Sequence, residues 1–335
     1  MPLVIPIFIP HQGCPHHCLF CNQVSISGKG AEKRDDAELV RQTIEEWLGF
    51  AQERQMVQVA FYGGSFTCLP VSRQQRYLAA VQPFLDKGRV ASIRLSTRPD
   101  CMDEDVCDRL LGQGVKTVEL GVQSFDDAVL AAAERGHSSD DSLRAAAVLK
   151  AKGLEFGIQL MPGLPLESSR SFLITLAQTI SCRPDFVRLY PTLVVNGSGL
   201  ADAYRRGEYR PMSMSRAIAV CCFAKKRLED AGVKIMRIGL QASSSLESEL
   251  VAGPYHPAFG ECVAARQWFL QVRPLLAGAA AGETVHITIS HRDMSAFVGP
   301  GRRNIKRLEQ LGLAKQMKIT TDKRLKRGTL NYVIN

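Results

Sequence analysis

The sequence predicts an α/β protein: a partial (β/α)6 TIM-like barrel over residues 1–240, followed by a C-terminal α/β extension over residues 241–335. Two observations carry this expectation. Short runs rich in β-branched and apolar residues alternate with stretches of helical apolar spacing, the pattern of parallel strands joined by helices. The runs end in clusters of glycine, proline and polar residues, where a barrel of this kind carries its chemistry.

In chain order, the first strand is expected at Val4–Ile9. The first ten residues are apolar but hold three prolines and no basic segment, so they read as a buried strand rather than a secretion signal. A three-cysteine loop follows. Leu39, Val40, Ile44, Trp47 and Leu48 share one face of a helix expected over Arg34–Arg54. The second strand, Val57–Tyr62, ends at Gly63-Gly64-Ser65. Further strands are expected at Ile93–Ser96, Thr117–Gly121, Phe156–Leu160 and Phe186–Tyr190, with helices between them. Beyond the sixth strand the pattern gives a helix near Ser213–Ala231 and a strand at Lys234–Ile238. The Ser-rich stretch Ala242–Ser248 reads as a loop. A helix near Phe259–Leu276, a strand at Val285–Ile289 and a basic helix near Arg302–Leu311 complete the extension.

Composition is that of an ordinary globular chain, 45% hydrophobic and 22% charged. No apolar run reaches the length of a membrane span, which leads to the expectation of a cytoplasmic protein. The net charge of +9 is unevenly placed. From Ser290 onward eleven basic residues face three acidic ones, so eight of the nine net charges lie in this tail. Arg302, Arg303, Lys306, Arg307, Lys323, Arg324, Lys326 and Arg327 are its candidate phosphate contacts, the first four behind Gly299-Pro300-Gly301 at a helix start. The bland reading is a solvated surface.

The ten cysteines include one compact set, Cys14, Cys18 and Cys21, spaced C-x-x-x-C-x-x-C. Three thiolates on so short a segment converge on a metal centre. Zinc would require a fourth ligand from His11, His16 or His17. A [4Fe-4S] cluster takes thiolates naturally, and three of them leave one iron open. Phe20 could cover that centre or stack on a ring beside it. The other seven cysteines show no framework spacing and are expected to be reduced and mostly buried.

These residues, with a strand-borne Gly-Gly downstream, resemble the radical S-adenosylmethionine (SAM) superfamily. FYGGSF, STRPD, VELGVQS, RGH, MPGLP, PDFVRLYPTLVV and RRGEYRP resemble, in order, the radical SAM half of the catalytic subunit of Elongator, a tRNA-wobble-uridine-modifying enzyme. The resemblance covers about residues 4–211. It implies a radical SAM barrel and a [4Fe-4S] cluster on Cys14, Cys18 and Cys21. SAM would chelate the open iron, and its reductive cleavage would give a 5'-deoxyadenosyl radical. It also implies an electron donor such as flavodoxin or ferredoxin, and RNA, most naturally tRNA, as substrate. Gly63, Gly64, Ser65, Ser96, Arg98, Gln123 and Ser124 would then lie around SAM, the Gly-Gly pair offering backbone carbonyls to its amino group and an arginine (Arg94 or Arg98) forking its carboxylate.

The resemblance has limits. Elongator's first two cysteines are more widely spaced, and the basic tail is too short for its acetyltransferase-like domain, so wobble carboxymethylation from acetyl-CoA is not expected of residues 1–335 alone. Two other functions stand beside the leading one. The first is a radical SAM enzyme on a small molecule, of the oxygen-independent coproporphyrinogen III oxidase type, in which a further cysteine follows the third; here Asn22 and Gln23 follow Cys21. The second is a non-catalytic zinc or RNA-binding module.

Overall fold

The computed structural model of the chain describes residues 3–9, 14–22, 36–50, 56–280 and 282–335. His11, Gln23 and the ends of the helix expected over Arg34–Arg54 lie outside the described residues. Seven strands form one parallel sheet in the order β1-β2-β3-β4-β5-β6-β8. They are β1 (Leu3–Phe8), β2 (Val57–Tyr62), β3 (Ser92–Thr97), β4 (Val115–Gln123), β5 (Glu155–Leu160), β6 (Phe186–Leu189) and β8 (Lys234–Ile238). The helices that return the chain are α1 (Asp36–Leu48), α2 (Val71–Asp86), α3 (Glu104–Leu111), α4 (Asp127–Ala132), α5 (Ser139–Ala151), α6 (Ser169–Cys182), α7 (Gly199–Arg205) and α8 (Met214–Asp230). The expected six-unit barrel is present, extended by a seventh strand.

Side chains alternate across each strand, and here the two faces differ in kind. Val59, Phe61, Ile93, Leu95, Val118, Leu120, Ile158, Leu160, Val187 and Leu189 are buried in one core beneath the helices. Each such side chain, fully buried, is worth roughly 1.5–3 kcal/mol of transfer free energy. The opposite face carries Tyr62, Arg94, Glu119, Gln123, Gln159 and Arg188, joined by hydrogen bonds. One of these bonds measures the curl of the sheet. Arg188 Nη2 on β6 lies 3.5 Å from the Tyr62 hydroxyl on β2, four strands away. In a flat sheet four strand spacings separate backbones by about 19 Å, so the sheet is rolled around a polar lumen.

The extension holds a second sheet, β11-β10-β12, of β10 (Val285–Ser290), β11 (Met317–Asp322) and β12 (Leu330–Ile334). β10 pairs parallel with β11 and antiparallel with β12. Its own core joins Trp268, Phe269, Val285, Ile287, Ile289, Phe297 and Leu308. These come from α10 (Phe259–Ala277), α11 (Met294–Val298) and α12 (Arg303–Gln310) as well as the sheet; the short α9 (Ser244–Glu249) precedes them.

Three local expectations change. The Ser-rich stretch is no loop: Ser243 caps α9 by accepting from the Leu246 amide. The residues after it, β9 (Leu250–Ala252), return to pair with β7 (Val194–Val195) beside the barrel. β11 and β12 were not expected, because half-exposed edge strands carry too little apolar alternation to stand out among charges. Among the described residues no helix is long and apolar enough to cross a membrane.

Candidate active site

The cysteine loop follows β1, at the end of the sheet where the other strands also finish. Main-chain bonds fix it there: the Leu19 amide donates to Ala133 (3.0 Å), and its carbonyl accepts from Leu200 (2.7 Å). The Cys21 amide donates to Cys18 (3.0 Å), turning the loop back on itself. The Asn22 side chain reaches the Asn196 carbonyl. His16 packs on Gly136, where φ is +72° and an added Cβ would come within 2.4 Å of the imidazole. Only glycine suits that position.

Arg135 is the side chain that meets the cysteines. Its Nη1 donates to Cys18 Sγ at 3.2 Å, and Nη2 to the Gly121 carbonyl at 2.5 Å. Burial pushes the Cys14 thiol up, opposed in part by Arg135. Burial, then repulsion from Cys18 and Cys14, pushes the Cys21 thiol up to about 12. Thiolates so placed need a cationic centre, and an iron–sulfur core is one. Among the described residues no three His, Cys, Asp or Glu side chains close around a common point as they would on one ion. These three thiols nevertheless feel one another's charge. Three thiols on one short loop at the strand ends are the donors an iron–sulfur cluster takes, so the donor set fits the cluster in its chemistry.

The expected SAM residues divide. Gly63 has φ +90°, a backbone conformation that residues with a side chain rarely adopt, so the Gly63-Gly64 turn must keep glycine at its first position. Ser65 Oγ accepts from the Arg98 amide at 2.9 Å, joining the ends of β2 and β3. Ser96 is half-buried, on the opposite face of β3 from Leu95. Gln123 is buried with φ +73°, strained for a residue with a side chain, at an irregularity in the β4–β5 pairing. There its Oε1 accepts from Gln159 at 3.2 Å. Phe20 packs into two apolar clusters, one with Val194 and Leu200, the other with Val129 and Leu164, and so anchors the loop.

Three of the expected contacts are taken up within the protein. Ser124 faces the helix layer, bonded to Thr175 at 3.1 Å, because the alternation that turns Gln123 inward turns it outward. The fork of Arg98 is filled by Asp100 (2.9 and 2.7 Å), and its Nη1 donates to the Arg135 carbonyl at 2.7 Å. Arg94 is paired with Glu119 at 2.6 Å, both almost fully buried. His137, two residues after Arg135, is neutral: burial, then Arg135 and Arg98, lower it to about 3.

The loop after β5 is held by two residues that the sequence reading passed over. Glu167 accepts from the Gly163 amide at 2.5 Å, and the Tyr209 hydroxyl donates to the Gly163 carbonyl at 2.6 Å. Burial pushes Glu167 up to about 7. This loop, α6 and α8 line an open cleft of about 750 Å³. The seven remaining cysteines are not all reduced: Cys68 and Cys101 form a disulfide between the turns that follow β2 and β3. The two residues are 33 positions apart, and only the pairing of neighbouring strands brings them together.

The basic tail is similarly divided. Arg307 lies 4.6 Å from the Phe269 ring centroid, Arg324 pairs with Asp322 at 3.0 Å, and Arg327 pairs with buried Asp293 at 3.0 Å. All eight candidate phosphate contacts stand exposed, and Arg302, Arg303, Lys306, Lys323 and Lys326 form no ion pair among the described residues. Arg302 itself takes φ +60° just before α12.

Sequence reasoning also missed Tyr62, Gln159 and Arg188, which join Glu119 and Tyr190 at the floor of the lumen. The signal was present. VQVAFY, SIRLST, VKTVELGVQ, EFGIQL and FVRL each interrupt an apolar run with polar residues on alternate positions.

With this geometry in hand, comparison with known proteins is informative. A family model described as the radical SAM superfamily matches residues 8–177, and one for the radical SAM C-terminal domain matches residues 184–268. A tRNA uridine(34) acetyltransferase from Methanocaldococcus infernus is 28% identical over 260 residues, 66% of this chain and 49% of that protein. Elongator complex protein 3 of Mus musculus is 28% identical over 199 residues, 53% of this chain and 36% of its own length. The chain thus spans less than half of either relative. Among solved structures, archaeal Methanocaldococcus infernus Elp3 with an N-terminal deletion superposes with a TM-score of 0.62 at 24% identity, covering 82% of this chain and 63% of that one.

Proposed function

The chain belongs to the radical SAM superfamily, and from that premise we propose that it is an RNA-modifying enzyme whose cluster ligands are Cys14, Cys18 and Cys21. The observation that carries the reading is the docking of the Cys18 thiol on Arg135 at the mouth of a polar lumen. Bound there, a [4Fe-4S] cluster would supply the single electron for reductive cleavage of SAM. The chain's own part is to hold and enclose. Gly63 and Gly64 leave backbone exposed to SAM, Gln123 offers its amide to the lumen, and Arg135 with Arg98 offsets thiolate charge. A low-potential carrier such as flavodoxin or ferredoxin would deliver the electron, in the cytoplasm.

RNA is favoured over a small molecule by the exposed cations of the tail and by the names of the relatives, both of which are tRNA-modifying or Elongator proteins. In this reading residues 1–240 do the chemistry. Residues 241–335 grip phosphate through Arg302, Arg303, Lys306, Lys323 and Lys326, with Arg307, Arg324 and Arg327 holding the surface in shape. Family membership leaves no room for a non-catalytic zinc module. The test is anaerobic reconstitution with SAM and a reductant, with and without tRNA. We expect 5'-deoxyadenosine, more of it with tRNA, and none from Cys18→Ala. Formation at the wild-type rate in that variant would end the proposal.

A further inference from the structure

The floor of the lumen is a charged network that the chemistry above does not use. Glu119 on β4 is shared by two arginines. Its Oε1 accepts from Arg94 Nη2 at 2.6 Å and from Arg188 Nη2 at 3.1 Å, while Oε2 lies 2.9 Å from Arg188 Nε. The Tyr62 hydroxyl approaches the same Oε1 at 3.3 Å, and Arg188 Nη1 donates to the Tyr190 hydroxyl at 3.0 Å. Among the described residues no other carboxylate pairs with either arginine. The network therefore carries one guanidinium charge in excess within a largely enclosed space.

Its two ends differ. Arg94 and Glu119 are each 6% exposed at the side chain, and Arg94 lies over the Phe186 ring, sealed at the bottom. Arg188 is 19% exposed, and Tyr62 and Tyr190 are half-buried. Arg188 also lies over the Tyr62 ring, 5.8 Å from its centroid. A planar cation flanked by phenols, anchored from below and open from above, is a surface for a flat ring that bears a carbonyl oxygen. Backbone phosphates are too bulky and too heavily solvated to follow the ring to the floor of a rolled sheet. What reaches this depth is the reacting part of the substrate.

Building on the RNA reading, we propose that Arg188 and Tyr190 are substrate-contact residues that hydrogen-bond a carbonyl oxygen of the target base at the lumen floor. Glu119 is the positioning residue that aims Arg188, and Arg94 is its buried counter-charge.

The test uses the reconstituted full chain with total tRNA as the probe. SAM cleavage is measured against tRNA concentration for wild type, Arg188→Lys, Tyr190→Phe and Arg94→Lys, with SAM affinity and tRNA-free cleavage measured separately. Arg188→Lys and Tyr190→Phe should lower kcat/KM for tRNA about tenfold or more. Their SAM affinity and tRNA-free cleavage should stay within about twofold of wild type. Arg94→Lys should lower the melting temperature without that selective loss. The inference is overturned if the Arg188 and Tyr190 variants respond to tRNA like wild type, or if they lose tRNA-free cleavage to the same degree. A wild type that cleaves SAM but ignores tRNA overturns the RNA reading and this inference together, and is told apart by the wild-type curve alone.

Discussion

Arg135 Nη1 donates a hydrogen bond to Cys18 Sγ at 3.2 Å although the two residues are 117 positions apart. The same side chain holds the Gly121 carbonyl, and its own carbonyl is held by Arg98. The Arg135 guanidinium thus ties the cysteine loop to β4, and its backbone carbonyl ties the same residue to Arg98 after β3. A donor aimed at a ligand sulfur tunes both geometry and basicity, and loss of such a partner commonly costs 10- to 100-fold in metal affinity or activity. We expect Arg135→Gln to lose bound iron and 5'-deoxyadenosine formation on that scale, measured by iron and sulfide content and by product. Full iron content and full activity would show the contact to be incidental.

Gly136 tests the docking of the loop from the other side. At φ +72°, with His16 within 2.4 Å of an added Cβ, Gly136→Ala strains the backbone and must displace the His16 imidazole of the cysteine loop. Reduced iron incorporation is expected with little change in the far-ultraviolet circular dichroism of the barrel. His16→Ala in the same chain should restore part of the loss, because it removes the ring that the new methyl strikes.

Glu167 predicts a pH dependence of stability. Burial raises its carboxyl from the ordinary 4.5 to about 7. Between those values the folded chain holds a proton that the unfolded chain has released. Its contribution is therefore full below pH 4.5 and is lost as pH rises to 7, by roughly 2–3 kcal/mol. Glu167→Gln keeps an acceptor for the Gly163 amide but cannot ionise. Urea midpoints compared at pH 5 and pH 8 should fall for wild type and stay more nearly level for the variant.

The Cys68–Cys101 bond is checked by counting thiols. Alkylation of the denatured chain should trap two more cysteines after reduction than before, and peptide mapping should identify Cys68 and Cys101. Cys68→Ser should still incorporate iron, since Cys14, Cys18 and Cys21 are untouched. Hydrogen bonds Thr67–Thr97 at 2.6 Å and Arg98–Ser65 at 2.9 Å also hold the two turns together.

In the tail, cations with no ion pair among the described residues and cations held by a neighbour should behave differently. Removing Lys306, Lys323 or Lys326 should each flatten the salt dependence of tRNA binding by about one unit of slope. Arg307→Ala should instead lower stability by about 0.5–1 kcal/mol through its lost contact with Phe269. Filter binding across a salt series and urea melts would separate the two groups.

Much of this protein was legible as a string of residues. Periodicity of two in the strands and the spacing of three cysteines are local properties, and local sequence sets them. The β-branched runs from Val4 to Tyr190 therefore announced a parallel barrel, and Gly63 marked a turn. Tertiary structure alone decided which polar residues meet. Whether Gln123 or its neighbour Ser124 enters the lumen depends on the irregularity in the β4–β5 pairing. Whether Arg98 is free depends on Asp100 and on the Arg135 carbonyl. The Arg188–Glu119 contact spans 69 residues and exists only because the sheet rolls. Hydrogen bonds between distant side chains follow from the curvature of the whole sheet, and no stretch of sequence encodes that curvature by itself.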